Sequence, residues 1–345
     1  MAIAQPFDFF LQWHITNRCN LQCRHCYQSG TSGDEPTVAE IGEVATEAAA
    51  MLKDWQRLYG VTFSPSCTVT GGEPFLREDL PAVLEAIGRE GFALYLLTNG
   101  TLVDRSRALT LSALGVKGVQ VSLEGPEAIH DGIRGAGSFR AAQEGVGALL
   151  EAGLPVTLNV TLSRLNAGSV AEMAALTRRL GVQRLGFSRL VPAGRGAELQ
   201  RQMLTSQEVR SLYETLFALE TADLEIVTGD PVGGQLRAPG TYRQGGGPFG
   251  GCAAGVSGLT LLPDGTILPC RRLEIPIGNV RTDSLREVWA SSEVLAGLRD
   301  KSRYRGKCGV CPRWCGCRGC RAIAFAAGAE PGDPFGADPQ CFFED

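Results

Sequence analysis

Short apolar runs alternate with longer amphipathic segments from residue 8 to about residue 221, and this alternation limits the fold more than any other feature. Runs of this length suit strands, and the segments between them carry apolar residues at helical spacing. Such alternation predicts parallel strands joined by right-handed crossovers, in a barrel or in a flat doubly wound sheet. We expect an α/β fold in which six units form a partial (β/α)6 TIM-like barrel. The predicted strands span residues 9–16, 67–70, 93–98, 118–123, 156–161 and 185–190, and the predicted helices include residues 37–58, 80–90, 104–114, 139–152 and 170–180.

Three cysteines directly after the first predicted strand, Cys19, Cys23 and Cys26, have the spacing C-x3-C-x2-C. A 4Fe–4S cube usually takes four cysteine ligands, so three of them leave one iron free for an exogenous ligand. The motif therefore indicates chemistry as well as electron transfer. A structural zinc site is the alternative, but zinc normally needs a fourth ligand to close its tetrahedron. His25 is the candidate for a fourth ligand, but it lies between Cys23 and Cys26 in the sequence, where the chain could hardly wrap around a single ion.

A second polar motif, Gly71-Gly72-Glu73-Pro74, follows the second predicted strand. Glycines let a backbone approach a ligand closely, and a carboxylate pairs with an ammonium group. In isolation this sequence would usually be a turn. Its place at a strand end, downstream of the three cysteines, makes it a candidate ligand site, because barrel folds carry their active sites at the carboxyl ends of the strands.

With these two motifs the chain resembles the radical S-adenosylmethionine (radical SAM) superfamily, in which the amino and carboxylate groups of the methionine moiety chelate the open iron. The resemblance implies a 4Fe–4S cluster on the three cysteines and S-adenosyl-L-methionine as a cofactor. It places His25 near the adenine, and Glu73 with the adjoining backbone at the methionine ammonium. Two later strand ends supply further cofactor-binding candidates: Ser122 and Glu124 on one face of a strand, then Asn159 and Arg164. The alternative is that these are ordinary polar groups at a strand end, and it has more weight for Asn159 and Arg164.

Composition and charge limit the kinds of partner and the cellular compartment that we expect for this protein. The net charge is -4 with no long run of either sign, which favours neither nucleic acid nor an anionic membrane as a partner. No stretch approaches the roughly 20 apolar residues of a membrane span, and the N-terminus lacks the features of a signal peptide. Twelve cysteines without an export signal favour metal sites over disulfides. We therefore expect a cytoplasmic protein.

Glycine and proline interrupt the pattern at residues 229–251 and predict a linker between a barrel domain, residues 1–228, and a cysteine-rich domain, residues 252–345. In the second domain, Asp264 and Gly265 form a predicted hairpin turn just before Cys270. Eight cysteines lie beyond the linker: Cys252, Cys270, Cys308, Cys311, Cys315, Cys317, Cys320 and Cys341. Cys67, in contrast, is expected to be a buried core thiol.

The cysteine-rich region resembles the SPASM domain, an extension of many radical SAM enzymes that holds two auxiliary clusters. By this resemblance, auxiliary cluster I takes Cys252, Cys270 and Cys320, and auxiliary cluster II takes Cys308, Cys311, Cys317 and Cys341. The last spacing in the middle group is x2 here, whereas x3 is common. Either Cys315 completes cluster I, or a non-cysteine group does, or one iron stays open for substrate. A pair of structural zinc sites is the alternative interpretation.

The resemblance implies reductive cleavage of S-adenosylmethionine to a 5′-deoxyadenosyl radical and oxidation of a substrate. A sulfatase-type maturase is disfavoured, because Arg271 stands where an acidic residue is expected. Together with Arg189, Arg195 and Arg272, it offers a binding site for carboxylates of a peptide or propionates of a porphyrin, although solvated or ion-paired arginines explain the pattern equally well.

Our first hypothesis is therefore an oxidoreductase that modifies a ribosomally made peptide or protein. The alternatives are modification of haem or porphyrin side chains and a non-catalytic iron–sulfur electron carrier. Catalysis needs an electron donor such as flavodoxin or ferredoxin. Only 18 residues precede Cys19, so a peptide substrate would need an exposed strand edge or a standalone peptide-recognition protein.

Overall fold

The computed structural model describes residues 6–28, 34–237 and 250–344, and a ten-stranded sheet runs through these parts of the chain. In space the strands follow the order β10-β9-β8-β1-β2-β3-β4-β5-β6-β7. Every neighbouring pair from β8 to β7 is parallel, and only β9 and β10 run antiparallel to their neighbours. The strands are β1 (Phe7–His14), β2 (Phe63–Thr70), β3 (Ala93–Thr98), β4 (Gly118–Ser122), β5 (Val156–Leu162), β6 (Arg184–Arg189), β7 (Glu225–Val227), β8 (Gly258–Leu261), β9 (Thr266–Leu268) and β10 (Gly278–Asn279).

Helices connect the parallel strands. Those of the barrel are α1 (Val38–Tyr59), α2 (Leu80–Arg89), α3 (Arg105–Ala113), α4 (Glu127–Arg134), α5 (Ser138–Glu151), α6 (Val170–Arg179), α7 (Ser206–Ala218) and α8 (Pro231–Arg237). The C-terminal region contributes α9 (Leu285–Ser291), α10 (Glu293–Arg299), α11 (Gly306–Val310) and α12 (Arg321–Ala327). Short 3-10 turns lie at Pro74–Leu76, Ala167–Ser169, Gly194–Gln202, Lys301–Arg303 and Trp314–Gly316.

The six predicted strand–helix units are confirmed, and β3 has the predicted bounds. Helix α1 begins where its sequence indicates, because Thr37 and Glu40 form a capping box. The Thr37 hydroxyl accepts the Glu40 N–H, and the Glu40 carboxylate accepts the Thr37 N–H. Within the barrel, α4, α7, α8 and the edge strand β7 were not predicted, and neither were α9 to α12 and β10 in the C-terminal region.

Strand β1 lies in the middle of the sheet, between β2 and β8. Its buried side chains include Leu11 and Trp13, which belong to the same hydrophobic core as Ile41, Ala45 and Ala48 of α1. Because β1 ends at His14, the chain leaves the core directly into the loop that carries the three cysteines. A strand that is paired on both sides and buried along its second half therefore supports this loop.

The predicted hairpin is confirmed, since β8 and β9 are antiparallel on either side of the turn at Asp264 and Gly265. The predicted linker is only partly a linker. Asp230 is buried, and residues 231–237 form α8, whose first turn donates two backbone N–H groups to the Asp230 carboxylate. Residues 238–249, which hold the glycine run, lie outside the described residues. The domain boundaries stay a prediction.

Candidate active site

A cavity of about 310 Å³ opens where the carboxyl ends of the parallel strands meet, the edge at which barrel enzymes carry their active sites. Eight of the predicted site residues line it: Cys19, Cys23, His25, Cys26, Gly71, Gly72, Ser122 and Asn159. Four do not line it: Glu73, Pro74, Glu124 and Arg164. The structure thus places eight of these twelve residues at one cavity and four elsewhere, and their assignment as the cluster and cofactor site stays a prediction.

The cysteine loop is fixed from the far side of the barrel by the segment after β6. Arg195 Nε donates to the Cys23 carbonyl at 3.1 Å, and the Gly196 N–H donates to the Cys26 carbonyl at 3.0 Å. Gly194 has a φ of 53°, and a Cβ there would lie only 2.6 Å from the Gln28 carbonyl oxygen. Only glycine allows these two segments to approach so closely.

The Gly71-Gly72 turn packs against the start of the cysteine loop. The N–H groups of Gly72 and Glu73 donate to the carbonyls of Thr16 and Arg18, each at 2.8 Å. A Cβ on Gly72 would collide with the Arg18 carbonyl, and one on Gly71 with the Thr16 carbonyl. The structure thus shows that these glycines accommodate the neighbouring backbone, a different reason from the ligand approach that the sequence suggested.

Glu73 is completely buried beneath the cavity. Its carboxylate accepts hydrogen bonds from the Asn99 N–H at 2.8 Å, the Thr98 hydroxyl at 2.8 Å and the Phe75 N–H at 3.2 Å. Burial raises the pKa of Glu73 to about 6 despite these bonds. Glu73 therefore joins the ends of β2 and β3 instead of facing the cavity, and Pro74, also buried, opens the turn behind it.

Glu124 is also fully buried, and it organises the opposite wall. Its Oε1 accepts two hydrogen bonds from Arg134, at 2.6 and 3.0 Å, and lies 2.9 Å from His25 Nε2, while Oε2 accepts the Thr161 N–H at 2.8 Å. Burial raises the pKa of Glu124, but the charges of His25 and Arg134 outweigh it and hold that pKa far below its usual range. Glu124 is thus an ionised anchor for the two side chains that reach the cavity.

Arg134 is a site residue that the sequence analysis missed. Its Nη1 donates to Cys23 Sγ at 3.7 Å while the rest of the guanidinium holds Glu124. It lies in α4, whose few apolar residues gave no helical pattern, and its two partners are 10 and 111 residues away. Neither contact can be inferred from spacing.

Ser122 and Asn159 are register neighbours on β4 and β5, and both line the cavity as predicted. Arg164 is different. It lies beyond the end of β5, half-exposed, and pairs with Glu208 at the start of α7, with Nη2 2.9 Å from Oε2. The prediction of Arg164 as a cofactor ligand is therefore not supported, because the chain has already turned away from the cavity.

Two N–H donors lie near the sulfur of Cys19, but burial opposes ionisation of the cysteines in this loop. The Leu21 N–H lies 3.4 Å from Cys19 Sγ, and Asn99 Nδ2 lies 4.0 Å from the same atom. Burial raises the pKa of Cys19 and Cys23 above the usual range of thiols, so ionised sulfur there needs a positively charged partner such as iron. Among the described residues, no three His, Cys, Asp or Glu side chains converge as ligands of a single metal ion. The cysteines of a cube bind different irons and do not need to converge on one point.

The four cysteines assigned to auxiliary cluster II line one small cavity in the C-terminal region: Cys308, Cys311, Cys317 and Cys341. Two donors point at their sulfurs. The Gly319 N–H lies 3.4 Å from Cys317 Sγ, and Arg321 Nη2 lies 3.6 Å from Cys308 Sγ. The structure thus brings together the four cysteines that the resemblance to the SPASM domain assigns to one cluster.

For auxiliary cluster I, burial raises the pKa of Cys320 to about 12, and Arg272 and Cys252 are near enough to act on it electrostatically. Arg272 is also near Cys270. Cys315 packs instead against Cys308 and its aromatic neighbours, on the side of cluster II. All twelve cysteines lie in the described residues and no disulfide joins any two of them, and Cys67 is fully buried as expected.

The four arginines divide into two pairs. Arg189, fully buried, forms ion pairs with Asp230 and Asp338, and Arg272 donates to the Arg189 carbonyl at 3.1 Å. Arg195 and Arg271 line the cavity without a carboxylate partner among the described residues; Arg271 lies 5.9 Å from the centre of the Tyr27 ring. Arg189 and Arg272 also line the cavity. Two carboxylates neutralise the charge of Arg189, whereas Arg195, Arg271 and Arg272 have no carboxylate partner among the described residues.

Comparison with known proteins agrees with this geometry. The model of the radical SAM superfamily matches residues 13–177, and the SPASM model, an iron–sulfur cluster-binding domain, matches residues 252–320. The AdoMet-dependent heme synthase of Nitratidesulfovibrio vulgaris is 30% identical over 99% of this chain and 94% of its own length. This chain belongs to the radical SAM superfamily. The mycofactocin maturase MftC of Mycolicibacterium smegmatis, another relative, is 31% identical over 96% of this chain and 82% of its own length.

Solved structures share the fold. SuiB of Streptococcus suis, bound to S-adenosylmethionine, has a TM-score of 0.77 at 16% identity and covers 98% of this chain and 78% of its own. The protein anSMEcpe with bound AdoMet has a TM-score of 0.74 at 18% identity, and the match covers 98% of this chain and 91% of the anSMEcpe chain. The chain is therefore a radical SAM oxidoreductase with 4Fe–4S clusters and S-adenosylmethionine as cofactors, as predicted, and the electron-carrier alternative falls. No helix in the described residues is long and apolar enough to cross a membrane.

Proposed function

We propose that this radical SAM enzyme oxidises a carboxylate-bearing substrate held by Arg195 and Arg271, and that the substrate is a ribosomally made peptide. The observation that carries the proposal is the position of these two guanidinium groups, which line the same cavity as the three cysteines and lack carboxylate partners among the described residues. A guanidinium at a cavity wall that has no carboxylate partner can donate strong, charge-assisted hydrogen bonds to a carboxylate of the substrate. When bound, the cluster and S-adenosylmethionine supply a radical that removes a hydrogen atom from the substrate.

The chain's own residues would then have separate tasks. Cys19, Cys23 and Cys26 would hold the cluster, and Ser122 and Asn159 would bind polar groups of S-adenosylmethionine from adjacent strand ends. Glu124 fixes Arg134 and His25, which keeps two cavity side chains in place while substrate binds. The eight cysteines of the C-terminal region would hold or flank the auxiliary clusters.

Two arguments favour a peptide. The MftC relative, named as a maturase of mycofactocin, aligns over nearly the whole chain. The cavity is also small, about 310 Å³, at the lower end of the range for ligand pockets, and it would receive S-adenosylmethionine as well. Most of any larger substrate would therefore have to lie outside the cavity, as the rest of an extended peptide can.

A haem precursor is the second candidate. The heme synthase relative covers 99% of this chain, and propionates would fit the same two arginines. For either substrate, we propose a cytoplasmic enzyme that receives electrons from a flavodoxin or ferredoxin. A peptide substrate would in addition be delivered by a standalone peptide-recognition protein.

The test is substrate-dependent formation of 5′-deoxyadenosine and of oxidised product, with a peptide encoded beside the gene and with iron coproporphyrin III as rival substrates. Arg271→Ala should raise KM for the true substrate about tenfold or more, because one charge-assisted hydrogen bond is lost. Arg281→Ala, which removes a half-exposed arginine paired with Glu40, is the control and should leave KM unchanged. Turnover of the porphyrin alone would overturn the peptide proposal, and an unchanged KM in Arg271→Ala would overturn the carboxylate site.

A further inference from the structure

We propose that a cationic surface over auxiliary cluster II is the docking site of a small acidic one-electron carrier, and that a single electron crosses between carrier and cluster there. The surface, called the basic face below, consists of Lys301, Arg303, Arg305, Lys307 and Val310. The inference rests on the proposed ligand set of cluster II but not on the identity of the substrate.

The first observation is a local reversal of charge. Residues 299–313 contain six basic residues and one acidic residue, Asp300, whereas the whole chain carries a net charge of -4. The basic residues alternate with neutral ones, so the sequence shows no continuous run. The fold nevertheless leaves four of them exposed between the turn at residues 301–303 and the first residues of helix α11. A field of this kind attracts anionic partners and speeds their association.

The second observation is an apolar side chain within this field. Val310 is 76% exposed, more than any other large apolar side chain in the described parts of the chain. Transient redox complexes bury little surface, and their charges determine the rate of encounter more than the affinity. An exposed valine flanked by cations therefore suits brief contact with an acidic electron carrier. Arg305 also pairs with Asp333, yet its side chain remains 57% exposed.

The third observation is how close the face lies to the cluster ligands. Lys301 Nζ donates to the Cys311 carbonyl at 3.1 Å, and Lys307 Nζ donates to the Cys341 carbonyl. Val310 directly precedes Cys311 in the chain. A carrier seated on the basic face would thus contact the residues that hold two of the four cysteines, with no element between them.

The basic face is separate from the substrate cavity, since none of its residues lines that cavity. Arg195 and Arg271, the cations of the cavity, are assigned to the substrate. A carrier on the basic face would therefore exchange electrons without displacing S-adenosylmethionine or substrate. A carrier docked at the cavity mouth would block the entry of both.

The test measures electron transfer from flavodoxin hydroquinone to the fully loaded enzyme by stopped-flow spectroscopy, without substrate. The anionic hydroquinone loses one electron to become the neutral semiquinone, and cluster II gains that electron. Arg303→Glu/Arg305→Glu reverses two charges of the basic face. Lys53→Glu/Lys117→Glu makes the same change at exposed positions on α1 and before β4. Iron content and the rate with a zwitterionic viologen check that cluster II remains intact in both.

At low salt the Arg303→Glu/Arg305→Glu rate should fall about tenfold or more, and the Lys53→Glu/Lys117→Glu rate should stay close to that of wild type. The wild-type rate should also fall at high salt, because screening weakens the attraction. Cys308→Ser, which removes a cluster II ligand, should lose the fast phase.

Equal rates in the two double variants, or a fast phase that survives in Cys308→Ser, would overturn the proposal. A nucleic-acid site is the other function that a basic surface suggests. If the reversal abolished binding of a short RNA duplex and left the flavodoxin rate unchanged, the face would be assigned to nucleic acid. The measurement needs no substrate, so a failure of the peptide proposal leaves its result unaffected.

Discussion

Arg189 and Asp338 form a two-point ion pair in the interior, with Nη1 3.0 Å from Oδ1 and Nη2 2.8 Å from Oδ2, and both side chains have no exposed surface. Asp338 also accepts the Cys320 N–H at 2.8 Å, and Arg189 also pairs with Asp230. The pair joins the end of β6 to a loop 149 residues later. It fixes a proposed ligand of auxiliary cluster I relative to the barrel.

Removing Arg189 should destabilise the protein strongly, because two buried carboxylates would lose their cation. We expect Arg189→Ala to lower the free energy of unfolding by about 3–5 kcal/mol, measured by anaerobic urea titration. Arg184→Ala, at the other end of β6, removes a half-exposed partner of Glu225 and should cost at most about 1 kcal/mol. Similar losses in the two variants would contradict this role of Arg189.

Gly72→Ala should prevent loading of the first cluster, since the new Cβ would push the Arg18 carbonyl and the cysteine loop away. We expect the loss of about four irons per chain while the auxiliary clusters load normally, as measured by iron analysis and electron paramagnetic resonance. Gly42→Ala is the matched control, because a Cβ at Gly42 in α1 meets no atom within 4 Å. Full iron content in Gly72→Ala would show that the loop tolerates the methyl group.

Glu73 gives the protein a specific pH dependence. Its pKa is about 6 in the folded protein against 4.5 ordinarily, so between these values the folded chain holds a proton that the unfolded chain has released. The stabilising contribution of this carboxyl therefore falls as pH rises, by about 1 kcal/mol between pH 5 and pH 7. The difference in unfolding free energy between wild type and Glu73→Gln should shift by that amount. Glu43→Gln, an exposed position on α1, controls for removal of a carboxyl, and an identical shift there would refute the assignment.

Arg321 should set the reduction potential of auxiliary cluster II, because its guanidinium is fully buried and donates to Cys308 Sγ at 3.6 Å. A buried positive charge beside a cluster sulfur favours the reduced state. We expect Arg321→Gln to lower the equilibrium constant for reduction of cluster II about tenfold, which lowers its reduction potential by about 59 mV. Arg321→Lys keeps the positive charge and should restore most of the potential. Redox titration followed by electron paramagnetic resonance measures this, and an unchanged potential in Arg321→Gln would exclude the role.

Local sequence predicted most of the barrel. Residues 93–98 form a strand as expected, because their apolar run is bounded by turn residues, and Thr37 with Glu40 marked the start of α1. The helix α4 was missed because Ile129 and Ile133 alone do not form a recognisable stripe. Helix α7 carried a signal that was overlooked, a capping box of Thr205 and Glu208.

The sequence predicted where in the fold the candidate site lies better than it predicted which groups its side chains contact. Motifs at strand ends indicated the edge of the sheet where the cavity lies, and the resemblance to the SPASM domain grouped the four cysteines that line the second cavity. Spacing contains no information about partners far apart in the chain. Glu73, Glu124 and Arg189 are therefore engaged with protein groups where the sequence suggested ligands.

The most direct measurement is an anaerobic reconstitution of wild type and of Cys19→Ala/Cys23→Ala/Cys26→Ala, with iron counted and 5′-deoxyadenosine assayed after addition of S-adenosylmethionine and a reductant. Three clusters predict about twelve irons and 5′-deoxyadenosine formation in wild type, and about eight irons with no 5′-deoxyadenosine in the triple variant. About four irons together with bound zinc in wild type would contradict the auxiliary clusters. Fully loaded wild type that forms no 5′-deoxyadenosine would contradict the assignment as a radical SAM enzyme.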